Sequence, residues 1–284
     1  PAYGRAEGPE ARRLNEKGET MAIAQSKRVH LIGAGVSPDL HFTRLGMRQI
    51  AQADCVVYYA DPSLETGVDE AAVKNRVTLD DLYPQGGVDD DSYQAVLDRI
   101  VGLLEEHDYV VFVQQGNPRL GVTLADMLQE ASVEKGFDFD VFPGISSLDT
   151  LIIDTDRDPL EYGSVVIDAN RLILFSHKIC PEFDYYVYHI CSVGTRKTNI
   201  DDPSADNAIG LLQEHLLGAY PPEHRCKIIE SNGAGVGSAS IVVEVAIQDL
   251  PSALDDVTFG TTLFIPSVGR PPVNQAVLDL MMAE

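Results

Sequence analysis

The sequence predicts an α/β protein with two lobes, the first built on a mostly parallel sheet and the second on a mixed α+β sheet. Apolar strands and amphipathic helices alternate from Lys27 to about residue 158, which is the order of a parallel sheet covered by helices. From Gly163 onward, strands follow one another closely and helices are fewer. An acidic, proline-containing link over 154–162 separates the two patterns, so we expect lobes over 27–158 and 159–284.

In the first lobe, the expected strands are runs of β-branched and aromatic residues that end in glycine, proline or a polar residue. They cover 28–32, 54–59, 109–114 and 137–142. Apolar residues at helical spacing predict helices over 39–52, 68–75, 92–106, 124–135 and 145–153. The helix over 92–106 has the clearest apolar face, and we expect Asp91 or Ser92 to cap its N-terminus.

In the second lobe, the same criteria predict strands over 164–168, 185–190, 226–231, 241–245 and 261–266. Helices are expected over 205–218 and 273–282. Residues 1–26 are polar and lack periodicity, which is typical of a leader or a flexible arm, and Met21 is a plausible alternative start. This arm is therefore left out of the predicted fold.

The composition excludes several classes of function. The 284 residues carry a formal net charge of −23, and nucleic-acid binding requires clustered Lys and Arg. The charge favours a small-molecule or peptide substrate, although solubility alone explains it equally well. The apolar runs are strand-sized, far below the ~20 residues of a membrane span, and no secretory signal opens the chain. We therefore expect a cytoplasmic protein.

The cysteines predict neither disulfides nor a metal site. Cys55, Cys180, Cys191 and Cys226 form no C-x-x-C pair, and histidines at ligand spacing are absent. We expect reduced, mostly buried thiols.

Three strand ends carry candidate binding motifs. The first strand leads into Gly33 and Gly35, where glycine permits a tight turn and close approach by a ligand. A dinucleotide fingerprint would place a third glycine where Pro38 stands, so nicotinamide or flavin binding is weakly supported, and a plain turn between strand and helix is also compatible.

The other two motifs follow the strands over 109–114 and 137–142. The first is a corner of Gly116, Asn117 and Pro118, and the second is the segment 143–147, PGISS. Ser146 and Ser147 can cap the following helix and offer hydroxyl groups. Ligands of α/β proteins bind outside the carboxyl ends of the strands, so these loops predict a site for a small cofactor.

In this order and spacing, the three motifs resemble those of the tetrapyrrole methylase superfamily, the class III S-adenosylmethionine (SAM) methyltransferases. The resemblance runs from about residue 28 to 266. It implies a two-lobe tetrapyrrole-methylase-like fold with SAM in the cleft between the lobes, no metal, and a homodimer. The implied cofactor contacts are Gly33, Gly35, Gln115, Gly116, Asn117, Pro118, Ser146, Ser147, His189 and Thr262. His189 is also compatible with a role in the core.

Within that superfamily, the chain is most similar to the borosin peptide-backbone N-methyltransferases. Tyr83, the Gly-rich loop after it and Tyr93 resemble the tyrosines of the borosin substrate pocket, and 165–174 and 261–266 resemble two further borosin segments. This resemblance implies methylation of backbone amides in a ribosomally made precursor peptide, with Tyr83 and Tyr93 as catalytic hydroxyls. Packing at the start of a helix would also explain Tyr93.

The sequence departs from the borosin pattern in two places. Asp89 stands where borosins carry an arginine, and Gln115 and Asn117 replace the tyrosine and histidine of the family's corner. Arg119 is a candidate for the compensating charge, although a solvated loop arginine is the more common reading of such a residue. Glu284 follows a helix and ends the chain as given, so we expect the acceptor to be a separate peptide, as in split borosins. The alternatives are a tetrapyrrole, corrin or other small-molecule methyltransferase, and a catalytically silent protein that binds SAM or a peptide.

Overall fold

A computed structural model describes residues 26–82, 84, 86–161, 163–197, 199, 202, 204–232 and 239–283. The expected N-terminal arm, up to residue 25, and Tyr83 lie outside these residues. The described chain forms two five-stranded sheets, one from strands before residue 143 and one from strands after residue 163. This confirms the predicted fold class.

The first sheet is entirely parallel, with the order β3-β2-β4-β1-β5. Its strands are β1 (Arg28–Gly33), β2 (Cys55–Tyr58), β3 (Arg76–Thr78), β4 (Tyr109–Gln114) and β5 (Asp138–Phe142). β1 and β4 lie in the middle and are almost fully buried, as expected for near-continuous apolar runs covered on both faces.

The first sheet is accompanied by helices α1 (Pro38–His41), α2 (Arg44–Gln52), α3 (Pro62–Glu70), α4 (Asp89–Gly102) and α5 (Thr123–Lys135). Helix α6 (Ser147–Thr155) follows β5. The helix expected over 39–52 is divided, because the Thr43 side chain accepts from Gly46 N and starts α2 anew. The helix expected over 68–75 is wrong in position: Asp61 caps a helix that begins at Pro62.

The predicted cap of α4 is also wrong. α4 begins at Asp89, with Val88 at its N-cap and no side-chain cap bond, so Asp91 and Ser92 lie inside the first turn. The acidic first turn places negative charge at the positive end of the helix dipole.

Among the described residues, none of the helices has the length and apolar character that a membrane span requires.

The second sheet has the order β6-β7-β10-β8-β9, in which only the β6–β7 pair is parallel. Its strands are β6 (Ser164–Asp168), β7 (Asp184–Tyr188), β8 (Arg225–Glu230), β9 (Ile241–Ala246) and β10 (Thr261–Ile265). Helices α7 (Ala169–Leu174) and α8 (Ile209–Leu217) accompany it, with a 3₁₀ helix over Ile247–Asp256. Helix α9 (Gln275–Met282) follows β10 and buries none of its residues.

Helix α6 connects the two sheets. Leu151 of α6 packs with Tyr186 of β7 and Phe264 of β10 in a small buried cluster. The Thr155 hydroxyl lies 3.1 Å from the Tyr186 hydroxyl. Asp154 accepts hydrogen bonds from the hydroxyls flanking the β8–β9 connection, those of Ser231 (2.5 Å) and Ser240 (2.8 Å). α6 therefore follows a strand of the first sheet but packs on the second.

All four cysteines are free thiols. Three are buried and Cys180 is exposed. Burial raises the pKa of the Cys55 thiol to about 11 and that of Cys226 to about 12, so both remain protonated at neutral pH.

Candidate functional site

The strand order brings the three sequence motifs together. β1 lies between β4 and β5, so the carboxyl ends of these strands are neighbours at one edge of the sheet. The loops that follow are joined by backbone hydrogen bonds: Gly116 N donates to Gly35 O (2.9 Å), and Gly35 N donates to Gly116 O (3.2 Å). Together these loops form a corner made largely of main chain, which we call the glycine corner (residues 33–36, 115–121 and 143–147).

The glycines of this corner are required by close contact between backbones. A Cβ at Gly33 would lie 2.6 Å from the carbonyl oxygen of Gly116 and 2.7 Å from Cδ of Pro118. A Cβ at Gly144 would lie 2.7 Å from the carbonyl carbon of Gly33. Gly35 and Gly116 have φ angles of +82° and +72°, which side chains other than glycine rarely adopt. The motif glycines thus set the shape of the corner.

The residues of the Gly116-Asn117-Pro118 motif fold the loop after β4. Asn117 Oδ1 accepts from the backbone N–H of Arg119 at 3.0 Å, which closes a local turn. Pro118 is buried, and the exposed Gln115 side chain donates to the carbonyl of Val36 at 3.3 Å. Gln115 therefore links two of the corner's loops.

The serines of the third motif have separate roles. Ser146 caps α6 in a capping box: its hydroxyl accepts from Asp149 N, and its own backbone N–H donates to the Asp149 carboxylate at 2.7 Å. Ser147 Oγ donates to the Tyr188 hydroxyl of the second sheet at 3.2 Å. Burial raises the pKa of Tyr188 to about 12, so this phenol remains neutral. Ser147 thus joins the corner to the second lobe.

His189 follows β7 and faces the corner from the second lobe. A Cβ at Gly121 would lie 3.0 Å from Cε1 of the His189 ring. The ring's Nδ1 lies 2.7 Å from Oδ2 of Asp168, at the end of β6. Burial opposes ionisation of Asp168, but hydrogen bonds from His189 and from the backbone N–H of Arg171 outweigh it and lower the pKa of the carboxyl. Asp168 is therefore a carboxylate over the neutral range.

Thr262, the other candidate from the second lobe, is almost fully buried in β10, where it pairs with Ile229. Alternate residues of a strand share a face, so Thr262 lies on the same face as Phe264, which packs toward α6.

Tyr93 lies on α4 and is half-buried against the apolar core of the first lobe. Burial, with a smaller contribution from Tyr93, raises the pKa of Tyr59. Tyr83, the other tyrosine expected to be catalytic, lies outside the described residues.

Asp89 and Arg119, the two charged positions of interest, have different partners. Asp89 opens α4, and its backbone N–H donates to the carbonyl of Arg196 in the second lobe at 3.0 Å. Arg119 forms an ion pair with Asp126 at 2.7 Å, and both side chains are exposed. The charge of Arg119 is thus already paired within the first lobe.

Sequence reasoning did not assign Asp168 or the contact between Asp89 and Arg196. Asp168 has a local signal, since its side chain caps α7 by accepting from Arg171 N at 2.8 Å. Its pairing with His189 has none, because the partner comes from the next strand. Within the described residues, no group of three or more His, Cys, Asp or Glu side chains is placed to bind a metal ion.

Residues 28–167 match the sequence profile of the Tetrapyrrole (Corrin/Porphyrin) Methylases. Among curated proteins, a methyltransferase/type II borosin cyclic peptide precursor of Phlebiopsis gigantea is 23% identical over 240 residues, 83% of this chain and 42% of that protein. A methyltransferase/type I borosin precursor of Mycena rosella is 25% identical over 266 residues, 92% of this chain and 65% of that protein. The chain thus spans less than two thirds of the length of these relatives.

The fold is also similar to solved structures. Uroporphyrin-III C-methyltransferase from Thermus thermophilus superposes with a TM-score of 0.59 at 19% identity, covering 85% of this chain and 93% of that one. A structure of that enzyme complexed with S-adenosylhomocysteine gives a TM-score of 0.56 at 16% identity, covering 84% and 92%. Both lobes therefore have counterparts in these methyltransferases.

Proposed function

We propose that this chain, whose residues 28–167 form a tetrapyrrole methylase domain, is a SAM-dependent methyltransferase that N-methylates backbone amides of a borosin-type precursor peptide. The observation that carries the proposal is the glycine corner, in which three loops at adjacent strand ends meet through their backbones and face the second lobe. The precursor peptides named in the similar proteins of Phlebiopsis gigantea and Mycena rosella support the peptide as acceptor.

The residues of the corner fit SAM. The cofactor carries amino-acid and nucleoside groups, which backbone N–H and C=O groups can recognise wherever no side chain blocks approach. Gly33, Gly35, Gly116, Ser146 and the other predicted contacts from the first lobe lie at this edge of the first sheet. When bound, SAM supplies a methyl group activated by its sulfonium.

The chain's own contribution to methyl transfer is positioning and exclusion of water. In-line displacement requires the acceptor nitrogen, the methyl carbon and the sulfur to be aligned, and fixed alignment supplies a large part of the rate. The acceptor amide is a weak nucleophile because its lone pair is delocalised. Tyr83 and Tyr93 are proposed to hydrogen-bond the amide as charge develops on it. We further propose a homodimer in solution.

Calorimetry with S-adenosylhomocysteine tests the cofactor. We expect saturable binding to the full chain and none to a protein unfolded in urea. If the titration gave no binding heat and the ligand did not shift the melting temperature, the proposal would lose its basis.

Mass spectrometry tests the acceptor. With SAM present, peptides encoded beside the gene, added as separate molecules, should gain mass in methylene steps, and fragmentation should place the methyl groups on backbone nitrogens. Tyr93→Phe should lower kcat by about 10²-fold, the usual size of a general acid–base contribution. Light scattering measures the oligomeric state in the same samples.

The second candidate function is methylation of a tetrapyrrole or corrin. The profile matched by residues 28–167 and the fold shared with uroporphyrin-III C-methyltransferase favour it. A parallel assay with uroporphyrinogen III distinguishes the two candidate functions. If the tetrapyrrole were methylated and no peptide were, the second candidate would replace the first. Binding of S-adenosylhomocysteine without transfer to either acceptor would identify a silent binding protein.

A further inference from the structure

Asp168 and His189 form a hydrogen-bonded pair in which the histidine has an unusual backbone conformation. His189 is not glycine, yet its φ is +57°, a conformation that must be offset by its surroundings and is concentrated at functional sites. Its imidazole is about one-third exposed, with Nδ1 on Asp168 and the opposite edge against Gly121 of the glycine corner. The second lobe thus presents a histidine ring to the candidate site.

The hydrogen bonds of Asp168 determine which nitrogen of His189 has the proton. Asp168 Oδ1 accepts from Arg171 N, and Oδ2 lies 2.7 Å from His189 Nδ1. A carboxylate only accepts hydrogen bonds, so Nδ1 must be the protonated nitrogen. Nε2 of the neutral ring then has a free lone pair, and it has no hydrogen-bond partner among the residues that the structure describes.

We propose that His189, oriented by Asp168, accepts the proton that the acceptor releases during methyl transfer. This inference rests on the proposed function. The nitrogen lone pair of the acceptor forms the new N–C bond, and the C–S bond breaks with its electrons remaining on sulfur, which becomes a neutral thioether. The N–H proton passes to Nε2 of His189, and the carboxylate of Asp168 stabilises the resulting imidazolium.

Asp168→Asn separates this role from a structural one. The cap bond from Arg171 N retains the amide oxygen of the new side chain on the α7 side, so its NH₂ group faces Nδ1 of His189. That NH₂ group donates, Nδ1 must then accept, and the proton moves to Nε2. The variant therefore preserves the helix cap and reverses the tautomer.

Long-range ¹H–¹⁵N spectra of histidine-labelled protein read the tautomer without any substrate. His189, assigned by its loss in His189→Gln, should have its proton on Nδ1 at pH 8 in the wild type and on Nε2 in Asp168→Asn. A wild-type ring protonated on Nε2 would overturn the inference whatever the acceptor proves to be.

Kinetics with a peptide that the wild type methylates then test the proton transfer to His189. Both variants should lose about 10²- to 10⁴-fold in kcat, while their dissociation constants for S-adenosylhomocysteine stay within about threefold. The rise of kcat with pH in the wild type should be absent in His189→Gln. His107→Gln, in the loop before β4 at the opposite edge of the sheet, is the matched control and should behave as wild type.

Two kinetic results would contradict the inference. If His189→Gln retained kcat at saturating SAM and lost only cofactor affinity, His189 would be a cofactor contact. If the variant retained the pH dependence of kcat, another group would accept the proton.

Failure of the proposed function gives a different result. If the wild type methylated no acceptor, the proposed function and the proton-transfer step would both fail. The tautomer spectra would still show whether Asp168 holds the proton of His189 on Nδ1.

Discussion

Gly33→Ala tests whether the glycine corner is set by backbone contact. The new Cβ would lie 2.6 Å from the Gly116 carbonyl oxygen and 2.7 Å from Pro118 Cδ, roughly 1 Å inside the 3.5–4.0 Å at which non-bonded carbon atoms attract. Both neighbours belong to the backbone or to a proline ring, so neither can rotate away. Overpacking of this kind costs about 1–3 kcal/mol, and we expect the upper end of that range.

Binding of S-adenosylhomocysteine should weaken together with stability, because relief of the clash would separate the loops that are proposed to hold the cofactor. Loss of one hydrogen bond to the ligand, about 1–1.5 kcal/mol, corresponds to roughly a tenfold weaker affinity for S-adenosylhomocysteine. Urea unfolding followed by circular dichroism measures the first quantity, and calorimetry measures the second.

Gly102→Ala is the control for Gly33→Ala. Gly102 ends α4 with a helical φ of −60°, and a Cβ there would contact nothing within 4 Å. Since alanine is the better helix former, this substitution should stabilise the protein by up to ~1 kcal/mol without affecting binding. A Gly33→Ala variant that matched the wild type in both unfolding free energy and affinity would refute the assignment of the corner.

Three further results are expected. Ser146→Ala should lower the free energy of unfolding by about 1 kcal/mol, because it removes the cap of α6 but leaves the backbone bond to Asp149; calorimetric melting measures the change, and an unaltered melt would contradict it. Iodoacetamide at pH 8 should label Cys180 alone in the folded protein and all four thiols in urea, and rapid labelling of a buried thiol in peptide maps would be inconsistent with the fold. Above the pKa of about 3.9 that the carboxyl has in the unfolded chain, the wild type should be more stable than Asp168→Asn. The difference in unfolding free energy should disappear as the pH falls through the lowered pKa of the folded carboxyl. Urea unfolding from pH 3 to 7 measures this difference, and a difference that grew at low pH would contradict the prediction.

Much of the fold follows from patterns within single segments. β4 and β6 have the bounds predicted from their apolar runs, because such runs with polar ends leave little ambiguity. The meeting of the three motifs was predictable as well, since they follow parallel strands and such ends share an edge.

The errors come from contacts that a local pattern does not contain. α3 was displaced because its start depends on the Asp61 cap, and its position depends on Gly67, which lies against the ring of Phe42. β3 was missed because only one of its residues is even partly buried, so it has no apolar alternation to detect.

At the candidate site, sequence reasoning predicted the loops of the glycine corner but not the hydrogen bond between Asp168 and His189. The glycines carry their own conformational signal, whereas Asp168 and His189 are joined only because β6 and β7 are parallel neighbours. A hydrogen bond across two adjacent strand ends has no sequence period, so only the structure assigns it.

Helix α6 acts as a mechanical link between the glycine corner and the second sheet. With nine residues it is a rod of about 14 Å, fixed in the glycine corner by Ser146 and to the second sheet by Asp154 and Thr155. The second sheet cannot rotate away from the first without moving this rod or breaking its bonds. The sheets are also joined at the start of α4, where Val88 pairs with Lys197, Asp89 N donates to Arg196 O, and Asp90 forms an ion pair with Arg196. Opening of the space between the sheets would therefore have to break these contacts or those of α6.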